Sequence, residues 1–353
     1  MEHEKRVRVS SFETLRALME IPGPTGQEHE VMAWLRKRWA PKAERVWTTK
    51  VGNLLAHIGG RGPILLLQAH ADEIGFVVKS IDANGFLWLA NAQAGVANPT
   101  KRYPAGQPAL VVGRKQPVEG VFATVTGHIL NAHQRQKDAL EFDDLFVDIG
   151  AESRAEALER GVHVGAGVIW NPPVRRLGRR IYGKAVDDRI SLAIMTELLE
   201  SIDRNDLRYD LYFAATVQEE IGLAGASSLR PDVDADLAIA LDNGIVGDIP
   251  TVRERDMPTT LGAGPTLVHK DNYVHYDVKL IWKLADLAEQ RGIPVQHAVY
   301  QQFGSDGAAL IRQGIPAALL APATRYTHSA FEMIDERDYD ATLALLSAFV
   351  TTD

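Results

Sequence analysis

Histidines and paired carboxylates fall in five short segments of this sequence, and each segment holds residues able to bind a cation or move a proton. His70-Ala71-Asp72 places an imidazole two positions before a carboxylate. Such a histidine can ligate a metal through one ring nitrogen while the aspartate orients the ring through the other. A partly buried histidine satisfied by its neighbour is the plainer reading. Asp187 and Asp188 are adjacent within Gly183-Lys184-Ala185-Val186-Asp187-Asp188-Arg189, just ahead of a helical pattern. They read either as a helix cap with an ion pair or as a bridge in which the two oxygens of Asp187 serve two metal ions. In Gln218-Glu219-Glu220-Ile221-Gly222 two carboxylates follow a buried strand. Like charges there repel and desolvation disfavours both. A cation resolves the conflict if one Glu ligates and the other stays free as a general base; a solvated helix start is the alternative. Asp242 in Leu241-Asp242-Asn243-Gly244 fits a plain Asx turn, and His328 in Thr327-His328-Ser329 fits a polar loop. Together, however, the segments supply two histidines and several carboxylates, most of them just behind a predicted strand. That is a sensible ligand set for a two-metal hydrolase.

Composition narrows the chemistry further. The chain has 353 residues and no cysteine, which excludes disulfides, thiolate zinc sites and a cysteine nucleophile. Any metal must be held by His, Asp and Glu, which suits Zn, Co or Mn. A formal net charge of -8 disfavours nucleic-acid binding, which usually needs a basic face. Apolar residues at 46% and charged residues at 24% are ordinary for a globular protein. Met1-Glu2-His3-Glu4-Lys5-Arg6 has no apolar h-region behind it, and no stretch approaches a spanning helix. The expected compartment is the cytoplasm, without a membrane partner.

The elements that must position these residues follow from periodicity. Ile64 to Gln68 is a continuous apolar run after Gly-Pro, the pattern of a strand buried on both faces. It delivers His70 at its carboxyl end, where α/β folds commonly build their sites. Tyr209 to Val217 and Leu237 to Leu241 read as strands that deliver Glu219 and Asp242 in the same way. Strands are also predicted over residues 44 to 58, Val295 to Tyr300 and Ala317 to Leu320. Helices are predicted over Ser10 to Ile21, with Leu15, Leu18 and Met19 on one face and Ser10 or Ser11 as cap, then Glu28 to Trp39, Ser191 to Ile202, His275 to Arg291 and Glu336 to Thr351. Gly304-Ser305-Asp306-Gly307 reads either as a lining of the substrate site or as a helix N-terminus. From about Gly75 to Pro173 the pattern changes to short alternating runs such as Phe76-Val77-Val78 and Gly120-Val121-Phe122-Ala123. These suit a small barrel or sandwich, with one short helix over Ser153 to Arg160. The expected fold is a three-layer α/β/α unit with a mixed sheet, made of residues 1–74 and 175–353, interrupted by a barrel-like β-rich domain at 75–174.

Four motifs then match a known family: Gln68-Ala69-His70-Ala71-Asp72-Glu73-Ile74-Gly75-Phe76, Gly183 to Arg189, Gln218 to Gly222, and Arg325-Tyr326-Thr327-His328-Ser329. With their order and the β module between the first two, the chain resembles the TET-type (tetrahedral) aminopeptidases over nearly its whole length. The resemblance implies two divalent metal ions per chain, Zn or Co, with Mn as the other option. It implies that His70, Asp187 and Asp242 hold one ion and that Asp187, Glu220 and His328 hold the other. Glu219 is then the general base for a metal-bridging water, and Asp72 orients His70. One position departs: the family usually has an Asp-x-Thr-like context where this chain has Asp242-Asn243-Gly244. The resemblance also implies peptide substrates cut at the N-terminal residue, and a homododecameric hollow tetrahedron assembled partly through the β domain. Rivals with the same chemistry are a dinuclear-metal deacylase or carboxypeptidase. A non-catalytic assembly protein would predict lost ligands. A glycosidase would need only a carboxylate pair, leaving both histidines unexplained.

Overall fold

The computed structural model describes residues 12–92, 105–131 and 144–352; Ser10 and Ser11, expected as helix caps, lie outside them. Its largest sheet has eight strands, in the order Arg45–Thr48, Leu54–Gly60, Asp210–Thr216, Ile64–His70, Leu237–Leu241, Ala317–Ala321, Thr266–Lys270 and Gln296–Val299. The strands from Asp210–Thr216 to Ala317–Ala321 in that order run parallel, and antiparallel neighbours flank them. These are the continuous apolar runs, and burial on both faces explains their composition: every residue of Ala317–Ala321 is buried.

Helices cover both faces. Leu65, Leu67, Phe213 and Ile239 point into a core shared with Leu35, Ile190, Ile281 and Leu345. Leu66, Ala214 and Ala238 point the other way, against Ala308, Leu310 and Ala226. This alternation along each strand makes the three layers. The first helix, residues 12–20, buries Leu15, Leu18 and Met19 as expected. The helix Val278–Arg291 begins three residues later than the sequence reading placed it, because the Asp277 side chain accepts the Leu280 N–H at 2.8 Å and caps it there. Gly292, at φ 64°, ends it in the left-handed region.

Register decides what the strand ends share. Thr216 lies opposite His70, Ala240 opposite Gln68 and Leu241 opposite Leu320. The parallel strands therefore finish nearly level, and the segments after them emerge along one edge of the sheet.

A five-stranded sheet that the sequence reading did not anticipate adjoins this edge: Arg175–Leu177, Arg180–Gly183, Glu332–Asp335, Ala323–Arg325 and Gly244–Ile245. It pairs Gly183 with Glu332, ahead of the Asp187 loop and behind the His328 loop. The strands Phe76–Ile81, Leu87–Asn91, Leu145–Asp148, Pro117–Thr124, Pro108–Val112 and Gly167–Trp170 close into an antiparallel barrel. Phe76, Phe122 and Trp170 pack in its interior, with ring centroids 5.2 to 6.1 Å apart. Among the described residues no helix is long and apolar enough to cross a membrane.

Candidate active site

All five acidic and histidine segments converge at the level strand ends. His70 closes its strand with Nε2 3.0 Å from Asp187 Oδ1 and Nδ1 3.4 Å from Asp72 Oδ1. The other Asp187 oxygen, Oδ2, is 3.5 Å from His328 Nε2, which is 3.3 Å from Glu220 Oε1. Ligand-type atoms of His70, Asp187 and Asp242 lie within 4.8 Å of one another, as do those of Asp187, Glu220 and His328. A third such group joins His70 to Glu219 and Glu220. Each sequence-predicted site residue thus falls in one cluster.

The backbone is shaped to aim these side chains. Ala185, Gln218, Tyr326 and His328 have φ between 55° and 65°, a left-handed conformation that non-glycine residues adopt at a cost and that concentrates at functional sites. The Asp187–Asp188 peptide bond is cis, and helical geometry starts only after Asp188. Asp72 is fully buried. Its Oδ1 accepts the Glu219 N–H at 3.0 Å and its Oδ2 accepts the Glu220 N–H at 3.2 Å. It therefore orients the loop of paired glutamates as well as facing His70, a second duty the sequence did not disclose. Beneath His70, Asp306 Oδ2 takes Gln68 Nε2 and Thr216 Oγ1, each at 2.5 Å. The Gly304-Ser305-Asp306-Gly307 motif forms a helix N-terminus, with Ser305 in the cap position, while the Ser305 hydroxyl also meets Asp242 and Asp306 braces two strand ends.

The electrostatics are those of crowded carboxylates. Burial, with Asp242, Glu220 and Asp306 nearby, holds Glu219 well above the usual carboxylate range. Burial and the charge of Asp187 push Asp242 up to about 8. Asp188 is likewise raised by burial and by Asp242 and Asp187. Asp187 goes the other way: burial would raise it, but hydrogen bonds with His328 and His70 outweigh that and hold it low. Burial opposes charge on both histidines, yet Asp187 and Asp72 hold His70 high, and Glu220 and Asp187 do the same for His328.

The nearby cationic side chains are anchored away from the ligand-type atoms, although Arg189 lies close enough to feel the charges of Asp72, Glu28 and Asp188. Lys184 Nζ sits 2.8 Å from Glu73, and Arg189 donates to the carbonyls of Leu18 and Ile21. Glu220 Oε1 is buried without a well-formed hydrogen bond. Imidazole nitrogens and carboxylate oxygens gathered with excess negative charge and no thiol fit divalent cations of the borderline kind. Such a donor set, at the carboxyl ends of parallel strands in a three-layer α/β/α fold, is the arrangement of a metallopeptidase.

Comparison with known proteins narrows this class. The profile of the M42 glutamyl aminopeptidases matches residues 52–345. The lysyl aminopeptidase of Pyrococcus furiosus is 30% identical over 347 residues, covering 96% of each chain. Among solved structures, the TET aminopeptidase from the marine sediment archaeon Thaumarchaeota archaeon SCGC AB-539-E09 superposes with a TM-score of 0.89 at 32% identity, covering 97% of this chain and 96% of that one. The Pyrococcus horikoshii TET1 peptidase, which can assemble into a tetrahedron or a large octahedral shell, superposes at 0.86 with 27% identity, covering 97% of this chain and 100% of that one. The chain belongs to the M42 glutamyl aminopeptidase family, and it is an aminopeptidase, a hydrolase of peptide bonds.

Two buried acids at the site, Glu28 and Glu332, escaped the sequence reading, and a third, Asp188, was read only as the neighbour of Asp187 in a helix cap. Glu28 Oε1 accepts the N–H groups of Gly26 and Gln218 at 2.7 and 3.1 Å, and burial together with Asp72 pushes it up to about 7. Asp188 packs against Ser191. Glu332 shares the buried side of its strand with Ile334. That last alternation was a readable signal: a glutamate in phase with an inward isoleucine asks for a buried partner.

Proposed function

We propose that this aminopeptidase works with two divalent ions, zinc or cobalt, with manganese as the alternative. His70, Asp187 and Asp242 hold one ion, and Asp187, Glu220 and His328 hold the other. The observation that carries this reading is Asp187, which turns one oxygen to His70 and the other to His328. When bound, the ions would supply Lewis acidity to the scissile carbonyl and lower the pKa of an attacking water. Glu219 is the general base: it takes the proton from that water and returns one to the leaving amine. Glu219 lies in one group with His70 and Glu220, beside the proposed ligands. Asp72 keeps Glu219 and Glu220 in place through their main-chain N–H groups and orients the His70 ring.

The substrates are peptides with a free N-terminus. We assign residues 1–74 and 175–353 to the catalytic domain and residues 75–174 to a domain for self-association. Assembly as a homododecamer is supported by the tetrahedral assembly of the Pyrococcus horikoshii relative, and the cytoplasm is the proposed compartment. Hydrolysis of matched peptides tests the reading. Free-amine peptides should be cut from the N-terminus one residue at a time, and their N-acetylated forms should resist. Release of acetate would point instead to a deacylase, and loss of C-terminal residues to a carboxypeptidase.

A further inference from the structure

Glu332 lies on the five-stranded sheet opposite Gly183 and is 1% exposed. A carboxylate buried this deeply is costly unless its oxygens are used. Its Oε2 accepts the main-chain N–H of Asp187 at 2.8 Å, and its Oε1 accepts the main-chain N–H of His328 at 3.0 Å. Thr327 completes the contact, with Oγ1 2.8 Å from Asp187 Oδ2 and 3.3 Å from Glu332 Oε1. A hydroxyl has one proton to give, and the shorter contact assigns it to Asp187. One side chain thus grips two loops that arrive from distant parts of the sequence. Each grip is on the backbone of a residue in the Asp187, Glu220 and His328 group. The grip on His328 also fixes a backbone whose φ of 61° lies in the left-handed region, uncommon for a residue other than glycine.

We infer that Glu332 is a positioning residue for the second ion: it sets the spacing between Asp187 and His328, and Thr327 aims the Asp187 oxygen that faces His328. The inference rests on the ligand assignment proposed above. It concerns only the cradle containing both gripped residues. The His70, Asp187 and Asp242 cradle shares Asp187 but not His328, so it should depend on Glu332 less.

Stepwise metal titration of the full-length, metal-stripped protein tests this, with Zn or Co as the probe, calorimetric detection, and thermal melting of the metal-free form as the control for folding. Glu332→Gln keeps the size and one acceptor but meets one N–H with an amide N–H. The expected result is a near-normal melt, a first ion bound as in the unaltered protein, and a second ion weakened by about ten- to hundredfold, the usual effect of losing a partner that orients a ligand. The inference is overturned if both ions bind as in the unaltered protein, or if both weaken equally. Should Glu332→Gln fail to fold, Thr327→Val is read by the same criterion. If the unaltered protein itself binds fewer than two ions, the ligand assignment fails, and that failure is distinct from a normal second ion in Glu332→Gln.

Discussion

The Asp72 carboxylate accepts the main-chain N–H of Glu219 at 3.0 Å, across 147 residues of sequence. Its second oxygen takes the N–H of Glu220 at 3.2 Å. One buried aspartate therefore ties the His70 strand end to the loop of paired glutamates. Replacing it by asparagine leaves one of those N–H groups facing an amide donor. Asp72→Asn should lower kcat/KM or metal affinity by about ten- to hundredfold, measured by steady-state kinetics alongside metal titration. Unchanged values in both would remove Asp72 from the positioning role.

Glu219→Gln should retain its metal content while turnover falls by about a hundred- to ten-thousandfold, the usual effect of removing a general base. Glu220→Gln should instead lose metal, because Glu220 is in the ligand group with Asp187 and His328. Metal analysis of the two purified variants separates the roles. Equal metal loss in both would argue against them.

Stripping the protein with a chelator should abolish peptide hydrolysis and lower the melting temperature, and Zn, Co or Mn should restore both. At a free metal concentration about a thousand times Kd, binding contributes about 4 kcal/mol to stability. The pH dependence has a definite sign. Without metal, His70 and His328 hold their protons more tightly than a free histidine, and each must release one to ligate. Metal affinity should therefore rise with pH through the range above the ordinary histidine value. An affinity that falls with pH there would contradict the assignment.

Asp335 caps the C-terminal helix Glu336–Thr351 by accepting the Arg337 N–H at 2.9 Å, and it pairs with Arg337 and Arg180. Burial opposes its ionisation, but hydrogen bonds from Arg337 prevail and hold its carboxyl below the usual range. A lowered folded-state pKa stabilises the fold above the unfolded value, and that contribution is lost as pH falls through the folded one. Asp335→Ala should lower stability at pH 7 by about 1 kcal/mol, as for a lost helix cap. The deficit should shrink on acidification below the ordinary carboxylate range. Denaturant unfolding at several pH values checks this, and a deficit that grows in acid would contradict it.

The large elements were legible in the sequence because hydrophobic periodicity encodes them. Strands buried on both faces, such as Ile64–His70 and Ala317–Ala321, announce themselves as apolar runs. The site residues were legible as types because acids and histidines at strand ends are conspicuous. The five-stranded sheet was not, since Gly244–Ile245 and Ala323–Arg325 are too short to show a period. Glu332 and Glu28 were missed as site residues because their roles are toward partners far away in sequence, which no local window contains. Asp277 shows the limit for boundaries: a single side-chain hydrogen bond moved the start of the helix Val278–Arg291.

The central claim is that Asp187 stands between two ions. X-ray diffraction from metal-loaded crystals, with anomalous difference maps at the absorption edge of the added metal, tests it most directly. Two peaks are predicted on either side of the Asp187 carboxylate, one beside His70 and Asp242 and the other beside Glu220 and His328. A single peak away from Asp187, or strong peaks only elsewhere in the molecule, would contradict the account.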